Sequence, residues 1–215
     1  MKIGILGTGA VGSTIGTKLV SLGHEVKMGS RTANNEKAAA WVKSNGTDSS
    51  QGTFANSAAF GEIIFNCTAG LSSLEALRQA GKENLGGKIL VDIANALDFS
   101  NGFPPVLAVC NTDSLGEQIQ REFPDVKIVK TLNTTNSVVM VNPSLVPGEH
   151  DMFMCGNDAD AKEKVKKILT EWFGWKSIID MGDITNARAT EMLLPIWVRL
   201  YGIYKTPNFN FKIVK

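Results

Sequence analysis

A glycine pattern near the N-terminus has the residue types and the spacing that could bind a phosphate. It matches GxGxxG and directly follows the apolar run Ile3–Leu6. In a strand-to-helix turn of this kind, the first glycine allows the sharp turn, the second leaves room for a pyrophosphate and the third lets the helix pack against the strand. The free N–H groups and the positive dipole end at the helix N-terminus favour an anion. A plain structural turn is the alternative, but the flanking strands and helix favour dinucleotide binding by Gly7, Thr8, Gly9, Ala10, Val11 and Gly12.

The end of the second predicted strand, Glu25–Met28, indicates which dinucleotide would bind. An NAD site carries Asp or Glu about 20 residues past the glycines, whereas the 2′-phosphate of NADP needs a cation and hydroxyl groups there. No acidic residue lies between Met28 and Asn35, and the position holds Ser30, Arg31 and Thr32. An arginine can hold a phosphate through two hydrogen bonds and can stack on an adenine. The pattern therefore predicts NADP, with a solvated turn arginine as the alternative.

Small and polar residues follow three later strands of the predicted sheet. They are Thr68 and Ala69, then Asn95, then Asn133. Ligands of open α/β sheets bind at the carboxyl ends of the strands. We therefore expect these four residues to lie against the cofactor, with Thr68 and Asn133 as positioning residues. Ordinary loop and helix-capping roles are the alternatives.

Further segments complete a family pattern. They are Gly29-Ser30-Arg31 with Glu36-Lys37-Ala38 behind it, Asp92-Ile93-Ala94-Asn95, and Val129-Lys130-Thr131-Leu132-Asn133. Together with the glycine motif they resemble the coenzyme F420-dependent NADP oxidoreductase family, most strongly over about the first 45 residues. The resemblance implies NADP as cofactor, Lys37 as a further cofactor contact, and F420 or a flavin (FMN or FAD) as the second substrate. The same fold serves the cytoplasmic NADPH domain of the six-transmembrane ferric reductases, which pass hydride to a flavin.

The ionisable residues do not form a familiar catalytic set. We find no Ser-His-Asp arrangement, no HExxH motif and no His/Cys cluster with metal-binding spacing, so no metal is expected. His24 and His150 fall in predicted loops outside the carboxyl edge, and Lys130 is the one residue that could be proposed as a catalytic lysine. Hydride transfer between a nicotinamide and a flavin-like ring needs positioned rings, because the cofactors carry the reactive electrons.

The sequence therefore predicts an NADP-dependent oxidoreductase that transfers hydride between NADPH and a deazaflavin or flavin. Two alternatives stay open. One is an imine reductase of the pyrroline-carboxylate reductase type, and the other is a non-catalytic NADP-binding redox sensor.

The composition of the 215 residues indicates small-molecule partners. The sequence contains 22 Lys and Arg and 21 Asp and Glu, which gives a net charge of +1. The protein therefore lacks the large positive charge that attracts nucleic acid or an acidic membrane. Cys67, Cys110 and Cys155 lie far apart in sequence and are typical of reduced core residues. No run approaches the roughly 20 apolar residues of a membrane helix, and the N-terminus lacks the apolar region of a signal peptide. We expect a cytoplasmic protein with no nucleic-acid or membrane partner, and with a homodimer as one option.

The alternation of strand and helix patterns predicts an α/β fold. We expect an NAD(P)-binding, Rossmann-like, doubly wound and mostly parallel sheet over residues 1–182, with a C-terminal helical appendage over 183–215. The cofactor cleft should lie at the carboxyl ends of the strands that begin at Lys2, Ile63 and Lys88. Residues 45–52 are predicted as a polar loop, followed by a brief strand at 53–54 and a helix capped by Asn56 or Ser57. Residues 96–112 are predicted as an irregular loop because of their glycine and prolines.

The last helix is predicted from Asp183 to about Tyr204. Its apolar residues could cover the sheet, close the cleft or pack in a homodimer. Packing within the chain is favoured, because large apolar side chains are usually buried in the core of their own protein. The predicted apolar stripe consists of Met192, Leu193, Ile196, Trp197 and Leu200.

Overall fold

The computed structural model covers residues 1–215, and an eight-stranded sheet lies at its centre. Two further strands, β6 and β7, form a separate antiparallel ribbon. In chain order the strands are β1 Lys2–Leu6, β2 Glu25–Ser30, β3 Ser49–Thr53, β4 Ile63–Asn66, β5 Ile89–Asp92, β6 Leu97–Asp98, β7 Val106–Leu107, β8 Lys127–Thr131, β9 Met152–Cys155 and β10 Ile178–Asp180.

The order of strands across the main sheet is β10-β9-β8-β5-β4-β1-β2-β3. Every neighbouring pair is parallel except β8 and β9, which run in opposite directions. The chain therefore builds outward from β1 in one direction and then from β4 in the other. The predicted doubly wound, mostly parallel fold is confirmed.

Helices cover both faces of this sheet. They are α1 Ala10–Ser21, α2 Glu36–Asn45, α3 Phe54–Phe60, α4 Ser73–Ala80, α5 Lys82–Leu85, α6 Leu115–Glu122, α7 Ser137–Val141, α8 Ala159–Lys167 and α9 Ala187–Tyr204. Successive strand residues point to opposite faces, so Ile3 and Ile5 join one buried apolar cluster while Leu6 joins the other. The first cluster includes residues of α1, α2, α7 and α8, and the second includes residues of α3, α4, α6 and α9.

The region predicted as a polar loop at 45–52 is partly a strand, so that prediction was wrong. Strand β3 lies at the edge of the sheet and pairs with β2 in the register Val26↔Ser49. An edge strand has one neighbour and needs little apolar surface, which explains why its sequence SSQGT carries no strand signal.

The next helix, α3, begins one residue after Thr53 and is capped by that residue rather than by Asn56 or Ser57. The Asn56 amide donates to Thr53 Oγ1 at 3.1 Å, and the Thr53 amide donates to Asn56 Oδ1 at 3.0 Å, a reciprocal capping box. The Ser57 hydroxyl instead donates to the carbonyl of Lys27 at 2.8 Å.

Residues 96–112 also differ from the prediction, because β6 and β7 pair as a short antiparallel ribbon with Leu97 opposite Leu107. A ribbon with two residues in each strand is too short to produce a readable alternation in sequence.

The buried face of α9 differs from the predicted stripe. Its buried residues are Ala187, Thr190, Glu191, Leu194 and Val198, while Met192 and Ile196 are 39% and 51% exposed. Thr190 and Glu191 can lie inside because both have polar partners. The helix therefore packs on this chain, while its assignment to a separate appendage that begins at residue 183 stays a prediction.

Three neighbouring strands end in a row of polar side chains. Asn66, Asp92 and Lys130 are directly paired across β4, β5 and β8, so they point to the same face. The ammonium of Lys130 lies 2.9 Å from Asp92 Oδ2 and 2.8 Å from Glu191 Oε1, and it also donates to the Ala94 carbonyl.

The carboxylate of Glu191 also binds the start of α6. It accepts the amides of Leu115 at 2.9 Å and Gly116 at 3.0 Å, which are among the unpaired N–H groups of a helix N-terminus. The nearby pair of Arg188 and Glu117 forms two further hydrogen bonds between the two helices. One buried group of charges thus joins the carboxyl edge of the sheet to both α6 and α9.

We predict that Lys130→Met lowers the free energy of unfolding by about 3–5 kcal/mol, because Asp92 and Glu191 would remain buried without their cation. The matched control is Lys127→Met on the same strand, which removes a 42%-exposed lysine side chain that pairs with Asp158. This control should cost about 0–1 kcal/mol. Urea denaturation of both variants makes the measurement, and equal losses would contradict the importance given to Lys130.

Candidate functional site

A cleft lies at the carboxyl edge of the sheet, between β1 and β4. The direction in which the chain adds strands reverses between these two strands, and such a reversal point is where open α/β sheets bind ligands. The cleft consists of two adjoining cavities of about 410 and 610 Å³. Both are lined by Cys67, Thr68, Ala69, Leu71 and Ser72.

The first cavity lies at the glycine-rich turn. Gly7 has φ +117°, and a Cβ there would lie 2.5 Å from the Cys67 carbonyl oxygen. A Cβ on Gly12 would overlap the carbonyl oxygen of Gly7, whereas one on Gly9 would meet nothing within 4 Å. Gly9 is also the N-cap of α1 and supplies no side-chain hydrogen bond there. The helix N-terminus is therefore open toward the cavity, as phosphate binding requires.

The residues predicted to select NADP lie at different depths around this first cavity. Ser30 and Arg31 line it, while Thr32 and Lys37 are exposed and lie outside its lining. The Ser30 hydroxyl donates to the carbonyl of Thr32, which holds the turn in shape.

Other lining residues of the first cavity were missed by the sequence reasoning. Asn35, Phe54, Glu75 and Gln79 come from three helices or their caps. Glu75 and Gln79 lie four residues apart on α4 and are hydrogen-bonded to each other at 2.9 Å. No short motif marks them, because only the packing of α4 beside β4 brings them to the cleft.

The second cavity brings together the other predicted contacts. Ala10, Val11, Thr68, Ala69, Asn95 and Asn133 line it, although Gly12 does not. Asn95 and Asn133 bond reciprocally: the Asn95 side chain donates to the Asn133 carbonyl at 2.9 Å, and the Asn133 side chain donates to Asn95 Oδ1 at 3.0 Å. Sequence reasoning thus placed these residues together but did not foresee their mutual pairing.

Some polar atoms beside this cavity have no protein partner. The side-chain oxygens of Asn133, Thr134 and Thr135 are buried and unbonded. A buried polar group without a partner costs about 1–3 kcal/mol, and in native proteins such groups usually find a ligand or an ordered water. The residues that follow β8 therefore have unused hydrogen-bonding capacity, and two of them, Asn133 and Thr135, line the cavity where a ligand could contact them.

The hydroxyl of Thr68 is held by a chain of buried hydrogen bonds. It donates to Asn66 Oδ1 at 2.7 Å and lies 2.6 Å from Ser73 Oγ. Asn66 in turn donates to Asp92 Oδ1 at 2.7 Å. Thr68 is therefore connected to the buried charges around Lys130, and Asn66 is a positioning residue that the sequence reasoning did not single out.

The second cavity contains no conventional acid or base. Its lining residues include no carboxylate, ammonium, guanidinium or imidazole, and burial next to Asp92 raises the pKa of the Cys67 thiol far above its usual value. Lys130, the lysine considered from sequence, lines neither cavity. Burial alone would lower its pKa, but Asp92 and Glu191 raise it above its ordinary value, so its ammonium does not release a proton readily.

The two histidines lie elsewhere. His24 packs on Trp172 with ring centroids 4.3 Å apart, and His150 bonds to the Pro143 carbonyl at 3.0 Å. No group of three or more His, Cys, Asp or Glu residues has the arrangement of a metal site. None of the helices is both long and apolar enough to span a bilayer.

The fold and the cleft define a dinucleotide-binding α/β protein, and comparison with known proteins specifies the class. Residues 2–96 match the family model described as NADP oxidoreductase, coenzyme F420-dependent. A crystal structure of a protein from Arthrobacter sp. FB24, provisionally assigned as an F420-dependent NADP reductase, is 51% identical over the full length of both chains, with a TM-score of 0.94.

More distant relatives extend the comparison. The F420-dependent NADP reductase of Methanocaldococcus jannaschii is 27% identical over 99% of this chain and 98% of its own length. The metalloreductase STEAP3 of Rattus norvegicus is 30% identical over 91% of this chain, which spans 38% of that relative. An imine reductase from Myxococcus stipitatus shares the fold at 18% identity, with a TM-score of 0.66.

The chain belongs to the coenzyme F420-dependent NADP oxidoreductase family. It is an NADP-dependent oxidoreductase, as the sequence predicted.

Two alanine substitutions should separate the binding role of the glycine turn from its structural role. Gly9→Ala should cost at most about 1 kcal/mol of stability, the difference between glycine and alanine at an N-cap, since its φ of −79° suits alanine and the new methyl group meets no atom. It should weaken NADPH binding about tenfold, because crowding a close contact costs on the order of 1.4 kcal/mol.

Gly12→Ala is the counterpart, and it should lower the free energy of unfolding by about 1–3 kcal/mol through overlap with Gly7. Calorimetric titration with NADPH and thermal unfolding make the two measurements. An unchanged NADPH affinity in Gly9→Ala would contradict the placement of the pyrophosphate.

Proposed function

We propose that this protein transfers hydride between NADPH and coenzyme F420, or a flavin such as FMN or FAD, in the second cavity. The observation that carries the proposal is the contrast between the two halves of the cleft. One half combines an open helix N-terminus with Arg31, and the other is lined only by uncharged side chains, among them the buried, neutral thiol of Cys67.

The first half fits the phosphates of NADP. The amides at the start of α1, after Gly9, would hold the pyrophosphate. Ser30 and Arg31 would hold the adenosine 2′-phosphate, with Thr32 and Lys37 at its exposed side. When bound, the dinucleotide supplies the hydride and the deazaflavin or flavin supplies the ring that accepts it.

The residues of the second half would orient the two rings. Thr68 and Ala69 would border the nicotinamide from β4, and the reciprocally bonded Asn95 and Asn133 would border it from β5 and β8. The unbonded side-chain oxygens of Asn133 and Thr135, two lining residues, give this wall acceptors for donors of the ligand. The apolar residues beside them would exclude water.

The lack of an ionisable proton donor in this half favours a ring acceptor over an imine or carbonyl. Reduction of an isolated C=N or C=O bond gains much from a positioned general acid, whereas a conjugated ring spreads the incoming charge over its own atoms. The likeness to imine reductases is one of fold. The names of the F420-dependent relatives support the same acceptor class.

Substituting Arg31 tests cofactor choice. Arg31→Ala should weaken NADPH binding roughly tenfold to a hundredfold, because hydrogen bonds to charged groups contribute about 1.5–3 kcal/mol. Binding of NADH, which has no 2′-phosphate, should be nearly unchanged. Arg121→Ala is the matched control, because it removes an arginine of α6 that is paired with Asp113, a residue before that helix. Calorimetric titration with both nucleotides decides, and equal losses for NADH and NADPH would refute the assignment.

The reaction itself is tested by following NADPH absorbance under anaerobic conditions with F420, FMN, FAD and riboflavin in turn. We expect at least one of these ring acceptors to be reduced, and a cyclic imine not to be. Asn133→Ala should lower the rate about two- to tenfold, because loss of one orienting contact leaves the chemistry of the cofactors intact. Loss of a general acid would instead cost about a hundredfold or more.

Asn142→Ala, at an exposed position after α7, is the control for Asn133→Ala. Oxidation of NADPH by the imine alone would establish the reductase alternative. NADPH binding without turnover of any acceptor would point to the redox sensor.

A further inference from the structure

Trp197 lies at the junction between the second cavity and an apolar recess of about 320 Å³. It lines both spaces, together with Leu97, Phe99 and Leu194. The recess has no charged lining residue. A planar ring that enters the second cavity would therefore extend toward a wall whose largest side chain is Trp197.

The indole of Trp197 is held by two other aromatic rings. Tyr201, one helical turn later on α9, is nearly parallel to it, with centroids 5.6 Å apart and an angle of 5°. Phe209 is also stacked on it, at 5.1 Å and 18°. Tyr204 meets Phe209 edge-on at 5.6 Å. These distances are those of favourable aromatic pairs, so the orientation of Trp197 depends partly on Phe209, which lies outside its own helix.

Phe209 belongs to the C-terminal segment that follows α9, and this segment is anchored on Asp151. The Asp151 carboxylate is 2% exposed and accepts the Ile213 amide at 2.6 Å and the Lys212 ammonium at 3.3 Å. The Asp151 amide donates to the Phe211 carbonyl at 2.8 Å, and the Asn210 side chain donates to the Asp151 carbonyl at 3.0 Å. The C-terminal segment contains no helix or strand, but residues 210–213 are fixed by these hydrogen bonds to Asp151.

The Asp151 anchor lies on the cleft side of the sheet because β9 is antiparallel to β8. Thr131, the last residue of β8, pairs with Met154, so the residues before Met152 extend past the carboxyl edge of β8. Asp151 is therefore on the same edge of the sheet as the second cavity. The C-terminal segment joins this point to α9 and passes Trp197 on the way.

We propose that the C-terminal segment positions Trp197 through Phe209, and that Trp197 is a specificity-determining residue that favours planar ring acceptors. This inference rests on the proposed function, because it assigns the acceptor ring to the second cavity. A fixed aromatic wall favours a flat conjugated ring and offers little to a small cyclic imine that has no conjugated ring. The first cavity, which would hold the phosphates of NADPH, shares no residue with this wall.

The test compares KM for the acceptor with the dissociation constant of NADPH. Trp197→Leu should raise the KM of the ring acceptor up to about tenfold, the size expected for loss of one aromatic contact, and leave NADPH binding within about twofold. Trp197→Phe should raise it less. Phe209→Leu should raise the acceptor KM in the same direction, while Phe209→Tyr, which keeps the stacked ring, should restore it.

Asp151→Asn tests the anchor and should also raise the acceptor KM without changing NADPH binding. Val214→Ala, at a position that is 88% exposed, is the control in the same segment. An acceptor KM that is unchanged in Trp197→Leu and Phe209→Leu, in enzyme that still reduces the ring acceptor, would overturn this inference and leave the proposed function standing. A wild-type enzyme that reduces no ring acceptor would overturn both.

Discussion

The arrangement of the cleft depends on one buried ammonium. Lys130 is completely enclosed, so its charge is tolerated only because Asp92 and Glu191 lie within 3 Å of it and a carbonyl takes the remaining proton. A buried pair of this kind contributes little net stability but is costly to break. It therefore acts as a constraint on position: β5, β8 and α9 can pack in the arrangement that brings these three side chains together and in few others.

The same constraint extends to both walls of the cleft. On one side, Asp92 holds Asn66, which holds the Thr68 hydroxyl. On the other, Glu191 fixes the turn of α9 that precedes Leu194 and Trp197, two lining residues of the second cavity. The proposed transfer between two stacked rings needs both walls at a fixed separation, since orientation supplies much of the rate when the cofactors carry the chemistry. Lys130, Asp92 and Glu191 stabilise the separation of the two walls although none of them lines either cavity.

The sequence predicted the parts of the fold that local rules determine. The β1–α1–β2 unit follows from a local turn in which Gly7 has a positive φ, Gly9 is the N-cap of α1 and Gly12 packs against Gly7. The polar edge strand β3 was missed because its partner β2 supplies the pairing. Glu191 was missed for a similar reason: inside a helix of apolar residues it resembled a solvated side chain, and its partners come from β8 and α6. The sequence thus indicated the site residues that follow the strands, and it did not indicate the contacts between elements that are far apart in the chain.

The uneven distribution of charge along the cleft has a consequence for the response to salt. Dissolved ions screen exposed charges over about 8 Å at physiological ionic strength, and Arg31 is exposed at the mouth of the first cavity. The second cavity has an uncharged, mostly apolar lining, and burial of apolar surface is insensitive to such screening and is strengthened by salts such as sulfate. Raising the ionic strength therefore weakens the electrostatic binding of the dinucleotide phosphates and leaves the apolar contacts of a neutral ring intact, so only one end of the cleft is sensitive to salt.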